Sequence, residues 1–113
     1  MSEGFTHLTA DLVGAAANQL RDPALLSGLL IAAASAAGLS PVGAPLVRRL
    51  SSDGVTGLVL VDGCHMLFHT FPDRELLLLD VLTPSAHDGR RALDVFARRL
   101  APREVHIEQR ERG

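Results

Sequence analysis

The chain contains no lysine, and all 11 of its cationic side chains are arginine. Enzymes that carry pyridoxal phosphate hold it through a lysine Schiff base, so this class is excluded as it is normally built. The net charge is −2 and no basic stripe occurs, which argues against nucleic acid as a main partner. The single cysteine excludes an internal disulfide and any zinc site built from several cysteines.

Long hydrophobic segments are also missing from the sequence. The longest apolar stretch, residues 25–39, is too short to span a bilayer and is interrupted by serines and glycines. The N-terminal sequence MSEGFTHL lacks the basic start of a signal peptide. We therefore expect no membrane association and a cytoplasmic location.

The 113 residues are 47% hydrophobic and 21% charged, which suffices for a single domain, 1–113, with its own core. Apolar alternation and apolar runs predict strands. Asp-Pro before an apolar run and Gly after it predict a helix, and so does an amphipathic segment near the C-terminus. The predicted strands cover 6–14, 55–61, 64–70, 75–83 and 103–109, with a weaker strand over 42–50 that Pro45 interrupts, and the predicted helices cover 22–37 and 86–100.

Asp62-Gly63 between two apolar runs is a strong signal for a β-hairpin. The helix over 22–37 is apolar nearly all round, which predicts packing on two sides or at a subunit contact. Together these elements predict an α+β fold. We expect a two-layer sandwich in which a largely antiparallel sheet is covered on one face by two helices.

The strongest candidates for catalytic or ligating residues follow the predicted hairpin turn. Cys64, His65 and His69 bring a thiol close to imidazoles, and such a thiol can be a nucleophile or a metal ligand. Neighbouring residues of a strand face opposite sides, so Cys64 and His65 cannot easily share an ion, and we expect no metal. The same three residues also fit a structural role, as a buried cysteine and two hydrogen-bonded histidines.

Other polar residues give weaker signals. His7 and His106 lie in strand patterns and are predicted to be structural, whereas His87 is expected to be solvated near a helix start. Asp80 interrupts an apolar strand, and a buried carboxylate needs partners, so it is either part of a site or a satisfied core residue.

The segment 54–73, GVTGLVLVDGCHMLFHTFPD, resembles the core of the bacterial S-adenosylmethionine decarboxylases. That family typically has GVTG, an apolar strand, Glu-Ser-His, and then His-Thr-Trp-Pro-Glu. The resemblance extends over nearly the whole chain. It includes HLTADLVGA for the first strand, LLLDVLT for the family's AAVDVFT, and the C-terminal VHIEQRERG.

The resemblance implies an enzyme that makes its own cofactor. In the family the serine hydroxyl attacks the preceding carbonyl, and elimination and hydrolysis then leave a pyruvoyl group at a new N-terminus. Its carbonyl takes up the substrate amine and draws electrons as carbon dioxide leaves, the task that pyridoxal phosphate performs elsewhere. In this chain the resemblance implies cleavage between Gly63 and Cys64, with the pyruvoyl group derived from Cys64. The processing histidine falls on His69, the assisting hydroxyl falls on Thr56, and the motif histidine falls on His65.

The substrate positions of the family are less well matched. The acidic residue that holds the ribose falls on Asp73, which is one methylene shorter, and an aromatic position beside adenine falls on Leu50. The cysteine that reprotonates the product falls on Pro84, which offers neither an acid nor an N–H. Ser85 or His87 would have to act as the proton donor instead.

The resemblance therefore predicts a pyruvoyl-dependent decarboxylase of S-adenosylmethionine that serves spermidine synthesis and forms a homodimer, as the family's bacterial members do. Two alternatives stay open at this point. The first is the same chemistry on another amino acid, such as arginine or ornithine. The second is an unprocessed pseudoenzyme paralogue that binds or regulates an active homologue.

Overall fold

The architecture comes from a computed structural model that describes residues 4–113. The first three residues, on which the signal-peptide argument partly rests, lie outside this range. The elements in chain order are β1 (Phe5–Val13), α1 (Ala17–Leu20), α2 (Pro23–Ala36), β2 (Leu46–Arg49), β3 (Val55–Val61), β4 (Cys64–Phe71), a 3-10 turn (Pro72–Arg74), β5 (Leu76–Pro84), α3 (Gly89–Leu100) and β6 (Glu104–Arg112).

The strands form one six-stranded sheet in the order β2-β3-β4-β5-β1-β6, and its neighbouring strands are antiparallel. Helix α2 packs on β2, β3 and β4, while α3 packs on β1 and β5 and against α2. Both long helices therefore cover the same face, and the predicted α+β sandwich is confirmed. None of the helices within residues 4–113 is long and apolar enough to span a membrane.

The boundaries of the long helices follow from their caps. The Asp22 side chain accepts a hydrogen bond from the Leu25 N–H at 3.1 Å, and α2 ends just before Gly38, whose φ is +76°. Helix α3 begins at Gly89 and not at residue 86 as predicted, because the Asp88 side chain caps it by accepting from the Arg90 N–H at 2.9 Å.

One other expectation needed correction. The strand expected over 42–50 is limited to β2, because Pro45 precedes it and cannot donate to a ladder. The short helix α1 was not predicted. The packing of α2 on two sides is confirmed, since it contacts the sheet and α3, and its outer side is exposed within the chain, with Ile31 at 50%.

The core lies between the helices and the sheet. Alternate residues of each central strand point into it, as a period of two requires. Gly57 is needed in β3 because a Cβ atom there would lie 2.4 Å from the Phe68 ring. The largest fully buried side chains of this core include Leu8, Leu30, Met66, Phe68, Leu79 and Phe96.

The opposite side of the sheet, which we call the open face, has no helix over it in the described part of the chain. Antiparallel sheets commonly expose polar residues on such a face. Here exposed or half-buried leucines occupy much of it. They are Leu46, Leu58, Leu60, Leu67, Leu78 and Leu82.

Candidate functional site

The predicted hairpin between β3 and β4 is present. Its two turn residues, Asp62 and Gly63, have φ values of +41° and +82°, the positive values that a type I′ turn requires. Both turn residues are exposed, and Cys64 begins β4 opposite Val61. The Gly63–Cys64 peptide bond therefore lies at the tip of the hairpin, where the chain is accessible.

The Cys64 side chain points away from this exposed tip and into the helix layer. It is 5% exposed, and this burial raises the pKa of its thiol, which the Asp62 carboxylate raises further. Cys64 is consequently a protonated thiol at neutral pH. A thiol is usually a better nucleophile than a hydroxyl because more of it is ionised, and this advantage is smaller here.

Thr56 and His69 face each other on the open face. They are paired across β3 and β4, and Thr56 Oγ1 lies 2.9 Å from His69 Nδ1. Cys64 and His69 stand at opposite ends of β4, which at the usual rise of a strand separates their Cα atoms by roughly 16 Å. The two side chains also point to opposite faces of the sheet, so this pair does not contact Cys64 of its own chain.

Leu50 and Asp73 lie at the same end of the sheet as Thr56 and His69, after the C-terminal ends of β2 and β4. Leu50 is 48% exposed, and the Asp73 carboxylate is exposed, 3.6 Å from the Arg21 guanidinium. We call this region the processing end, after the role that the resemblance implies for Thr56 and His69, and define it by Leu50, Thr56, His69 and Asp73.

Pro84 and Ser85 lie at the other end, beside the hairpin tip. The Ser85 hydroxyl donates to Glu111 Oε1 at 3.0 Å. His87 was expected to be solvated but is half-buried, with its Nδ1 atom 3.3 Å from the Ala37 carbonyl. We call this region the cleavage end, after the cleavage that the resemblance implies between Gly63 and Cys64, and define it by Gly63, Cys64, Pro84 and Ser85. The residues predicted for one site are thus divided between the two ends of the sheet.

Asp80 is hydrogen-bonded but lies half-buried on the open face, so the expectation of a satisfied core residue is wrong in its placement. Its Oδ1 atom accepts from Nε2 of His7 at 2.9 Å and from Nε2 of His65 at 3.0 Å. The structural role expected for His7 agrees with this contact, but its partner could not be foreseen, because 73 residues separate His7 from Asp80 and only the register of β1 and β5 brings them together.

The His7–His65–Asp80 cluster has the spacing of a metal site, because its ligand atoms lie within 4.8 Å of one another. Arg112 Nη1 lies 3.4 Å from Nδ1 of His7, and a guanidinium can only donate. His7 then carries its proton on Nε2 and donates it to Asp80. A histidine that binds a metal normally donates its other ring N–H, which this contact prevents, so the cluster fits a hydrogen-bonded network better than a metal site.

A shallow cavity of about 310 Å³ lies on the open face between these groups. His69 borders it on one side and Asp80 on the other, and Leu67 and Leu78 form part of its floor. Because His69 lines it, this cavity adjoins the Thr56–His69 pair.

Comparison with known proteins shows which family has this fold. The crystal structure of the adenosylmethionine decarboxylase from Aquifex aeolicus matches with a TM-score of 0.89 at 28% identity, over 100% of this chain and 93% of that chain. The fold is therefore that of an adenosylmethionine decarboxylase. A model of the S-adenosylmethionine decarboxylase family matches residues 6–113, and the chain belongs to this family.

Relatives occur in bacteria and archaea. The chain is 31% identical over 108 residues to S-adenosylmethionine decarboxylase proenzyme 2 of Bacillus anthracis, which covers 95% of this chain and 87% of that protein. It is 26% identical over 108 residues to the S-adenosylmethionine decarboxylase proenzyme of Pyrococcus furiosus, which covers 95% and 77%.

Proposed function

We propose that this chain is a proenzyme that cuts itself between Gly63 and Cys64 and then decarboxylates S-adenosylmethionine. The observation that carries the proposal is the Thr56–His69 hydrogen bond of 2.9 Å on a hairpin whose exposed tip contains the Gly63–Cys64 bond. The relatives' names as decarboxylase proenzymes support the substrate and the cleavage.

Cleavage starts when Cys64 Sγ attacks the Gly63 carbonyl carbon. The S–C bond forms, the C–N bond of the peptide breaks, and the thiol proton passes to the departing nitrogen, which leaves a thioester. The positive φ of Gly63 and the open space around its α-carbon favour this attack, since no side chain shields the carbonyl.

The thioester then has to undergo β-elimination and not hydrolysis. Loss of the Cα proton of residue 64 and rupture of its Cβ–S bond release Gly63 as a thiocarboxylate and leave dehydroalanine. Water converts the dehydroalanine to a pyruvoyl group and releases ammonia. Cys64 fits this route because it has both a Cα hydrogen and a Cβ leaving group, and the finished pyruvoyl group supplies the electron sink for decarboxylation.

A second copy of the chain is needed to complete the site. Thr56 and His69 lie roughly 16 Å along the strand from Cys64, so they cannot assist cleavage within one chain as it is folded. Two copies packed head to tail through their open faces would place the processing end of one against the cleavage end of the other. The exposed leucines of the open face, among them Leu60 at 54% exposure, support a homodimer of this kind.

The substrate would lie between these ends. The exposed Asp73 carboxylate is available to the ribose hydroxyls, and Leu50 offers adenine an apolar surface. Ser85 takes the place of the family's proton-donating cysteine, with the Glu111 carboxylate orienting its hydroxyl. The product serves spermidine synthesis. We assign the protein to the cytoplasm, where the thiol that this chemistry needs stays reduced.

The intact mass of the purified protein tests the cleavage, with Cys64→Ala as the control. We expect two fragments that meet at Gly63–Cys64, the second lighter than an N-terminal cysteine would make it, and a single uncut mass for Cys64→Ala. A second fragment that begins with an intact cysteine would show hydrolysis without cofactor formation. A single uncut mass for the parent protein would contradict the proposal.

Co-expression of Cys64→Ala with His69→Ala tests the shared site. Each variant alone is expected to remain uncut. Together they are expected to restore cleavage of the His69→Ala chain only, because its exposed Gly63–Cys64 bond meets His69 of the other variant in a mixed dimer. If His69 acts within its own chain, the mixture stays uncut.

A further inference from the structure

The Thr83 side chain is buried without a hydrogen-bond partner. Thr83 is 0% exposed, and its hydroxyl oxygen is the buried side-chain atom that lacks a partner within residues 4–113. The other buried polar side chains of this range are satisfied. Thr6 donates to Glu111, and Thr70 donates to the Leu20 carbonyl while accepting from the Val55 N–H.

Thr83 lies beside Cys64. His65 pairs with Leu82 across β4 and β5, and because these strands are antiparallel, the next position brings Cys64 opposite Thr83. Both residues are buried and both point into the helix layer. Residues at directly opposite positions have Cβ atoms about 4.5–5.5 Å apart, so the free hydroxyl lies next to the proposed nucleophile.

An unpaired buried hydroxyl disfavours the folded precursor, because it gives up its hydrogen bonds to water and gains none. Such a donor is useful where negative charge develops later in a reaction. It can act at once, since it has no existing bond to break. The attack on the Gly63 carbonyl creates a negative charge of this kind.

We propose that the Thr83 hydroxyl stabilises the oxyanion formed when Cys64 attacks the Gly63 carbonyl. This inference rests on the proposed self-cleavage. Attack closes a ring that contains Cβ and Sγ of Cys64, so the ring lies on the helix-covered face of the sheet, where the Thr83 side chain also lies. The S–C bond forms as the carbonyl π electrons move to oxygen, and the Thr83 O–H donates to that oxygen until the C–N bond breaks and the carbonyl is restored.

Thr83→Val removes the hydroxyl and keeps the shape, whereas Thr83→Ser keeps the hydroxyl. We expect Thr83→Val to slow cleavage about 100- to 1,000-fold, the usual effect of losing one oxyanion donor. Thr83→Ser is expected to cleave at nearly the parent rate. The fraction of cleaved precursor is followed by intact mass during cell-free synthesis, so that the reaction is observed from the moment the precursor is made.

Stability measurements separate this role from a structural one. In the uncut Cys64→Ala background, Thr83→Val is expected to keep or raise the melting temperature, since it removes an unsatisfied buried group. Thr70→Val is the matched control, and it is expected to lower the melting temperature because it breaks two hydrogen bonds. A variant that is stable but slow to cut supports the proposal.

Two results would overturn the inference, and they differ in what else they affect. If the parent cleaves and Thr83→Val cleaves equally fast, the role of Thr83 is refuted and the proposed function stands. If the parent itself stays uncut, the proposed function fails and the role of Thr83 fails with it.

Discussion

Asp80 joins two strands of the sheet through a single carboxylate oxygen. It accepts from His7 on β1 and from His65 on β4. We expect Asp80→Asn to lower the free energy of unfolding by about 1–3 kcal/mol, because hydrogen bonds to a charged acceptor are stronger than those to an amide. Urea unfolding in the Cys64→Ala background measures the change. Asp11→Asn, an exposed carboxylate on the same face, is the control and should change stability by less than about 0.5 kcal/mol.

The same cluster predicts how the protein responds to a chelator. Because the His7–His65–Asp80 contacts fit hydrogen bonds and not metal ligation, dialysis against EDTA should leave the melting temperature unchanged. A melting temperature that falls with EDTA and recovers with a divalent cation would show that the cluster binds metal after all.

The thiol of Cys64 predicts a pH dependence of self-cleavage. Burial and the Asp62 carboxylate raise the pKa of the thiol, so the thiolate is scarce at neutral pH and grows as pH rises. We expect the cleavage rate to increase with pH and to keep increasing beyond the ordinary thiol pKa of about 8.5. Asp62→Asn removes the negative charge and should shift the profile to lower pH. Asn-Gly is also a favoured pair for this turn. A rate that levels off below neutral pH would be inconsistent with this thiol as the nucleophile.

The stability of helix α2 depends on the N-terminal cap that its sequence predicts. Asp22 accepts from the Leu25 N–H at 3.1 Å and precedes Pro23 at the first turn. Asp22→Ala is expected to destabilise the fold by about 1 kcal/mol, since the N-terminal amide loses its acceptor. Asp22→Asn keeps an acceptor oxygen and should retain most of the stability. Thermal unfolding followed by circular dichroism compares the two, and equal losses would argue that the cap is not the cause.

The elements that could be predicted are those whose signal is local. The alternation in β1 and β6, the turn at Asp62-Gly63 and the cap at Asp22 each identify an element from neighbouring residues alone. Helix α1 was missed because a single turn carries no periodicity.

Much of the candidate site depends on register and could not be found in this way. The contact of His7 with Asp80 joins residues 73 positions apart, and the neighbourhood of Cys64 and Thr83 follows only from the pairing of β4 with β5. The resemblance assigned roles to His69 and Thr56, but it could not show that these residues stand at the far end of the strand from Cys64.

At the scale of the whole molecule, the open face is expected to bind a second copy. Leu60 on the open face and Ile31 on the outer side of α2 are almost equally exposed, at 54% and 50%. Leu60→Glu should therefore yield monomers and lose cleavage, whereas Ile31→Glu should stay dimeric and cut normally. Analytical ultracentrifugation gives the oligomeric state. The reverse result would place the subunit contact on the outer side of α2.

The strand order also determines what would become of the two fragments after the proposed cleavage. The first fragment contributes β1, β2 and β3, and the second contributes β4, β5 and β6. Because β1 lies between β5 and β6, the fragments are interleaved in the sheet and cannot separate while it remains folded. If the chain is cut as proposed, unfolding also becomes a dissociation of two fragments. The stability of the cut protein would then depend on its concentration, and dilution alone would favour unfolding.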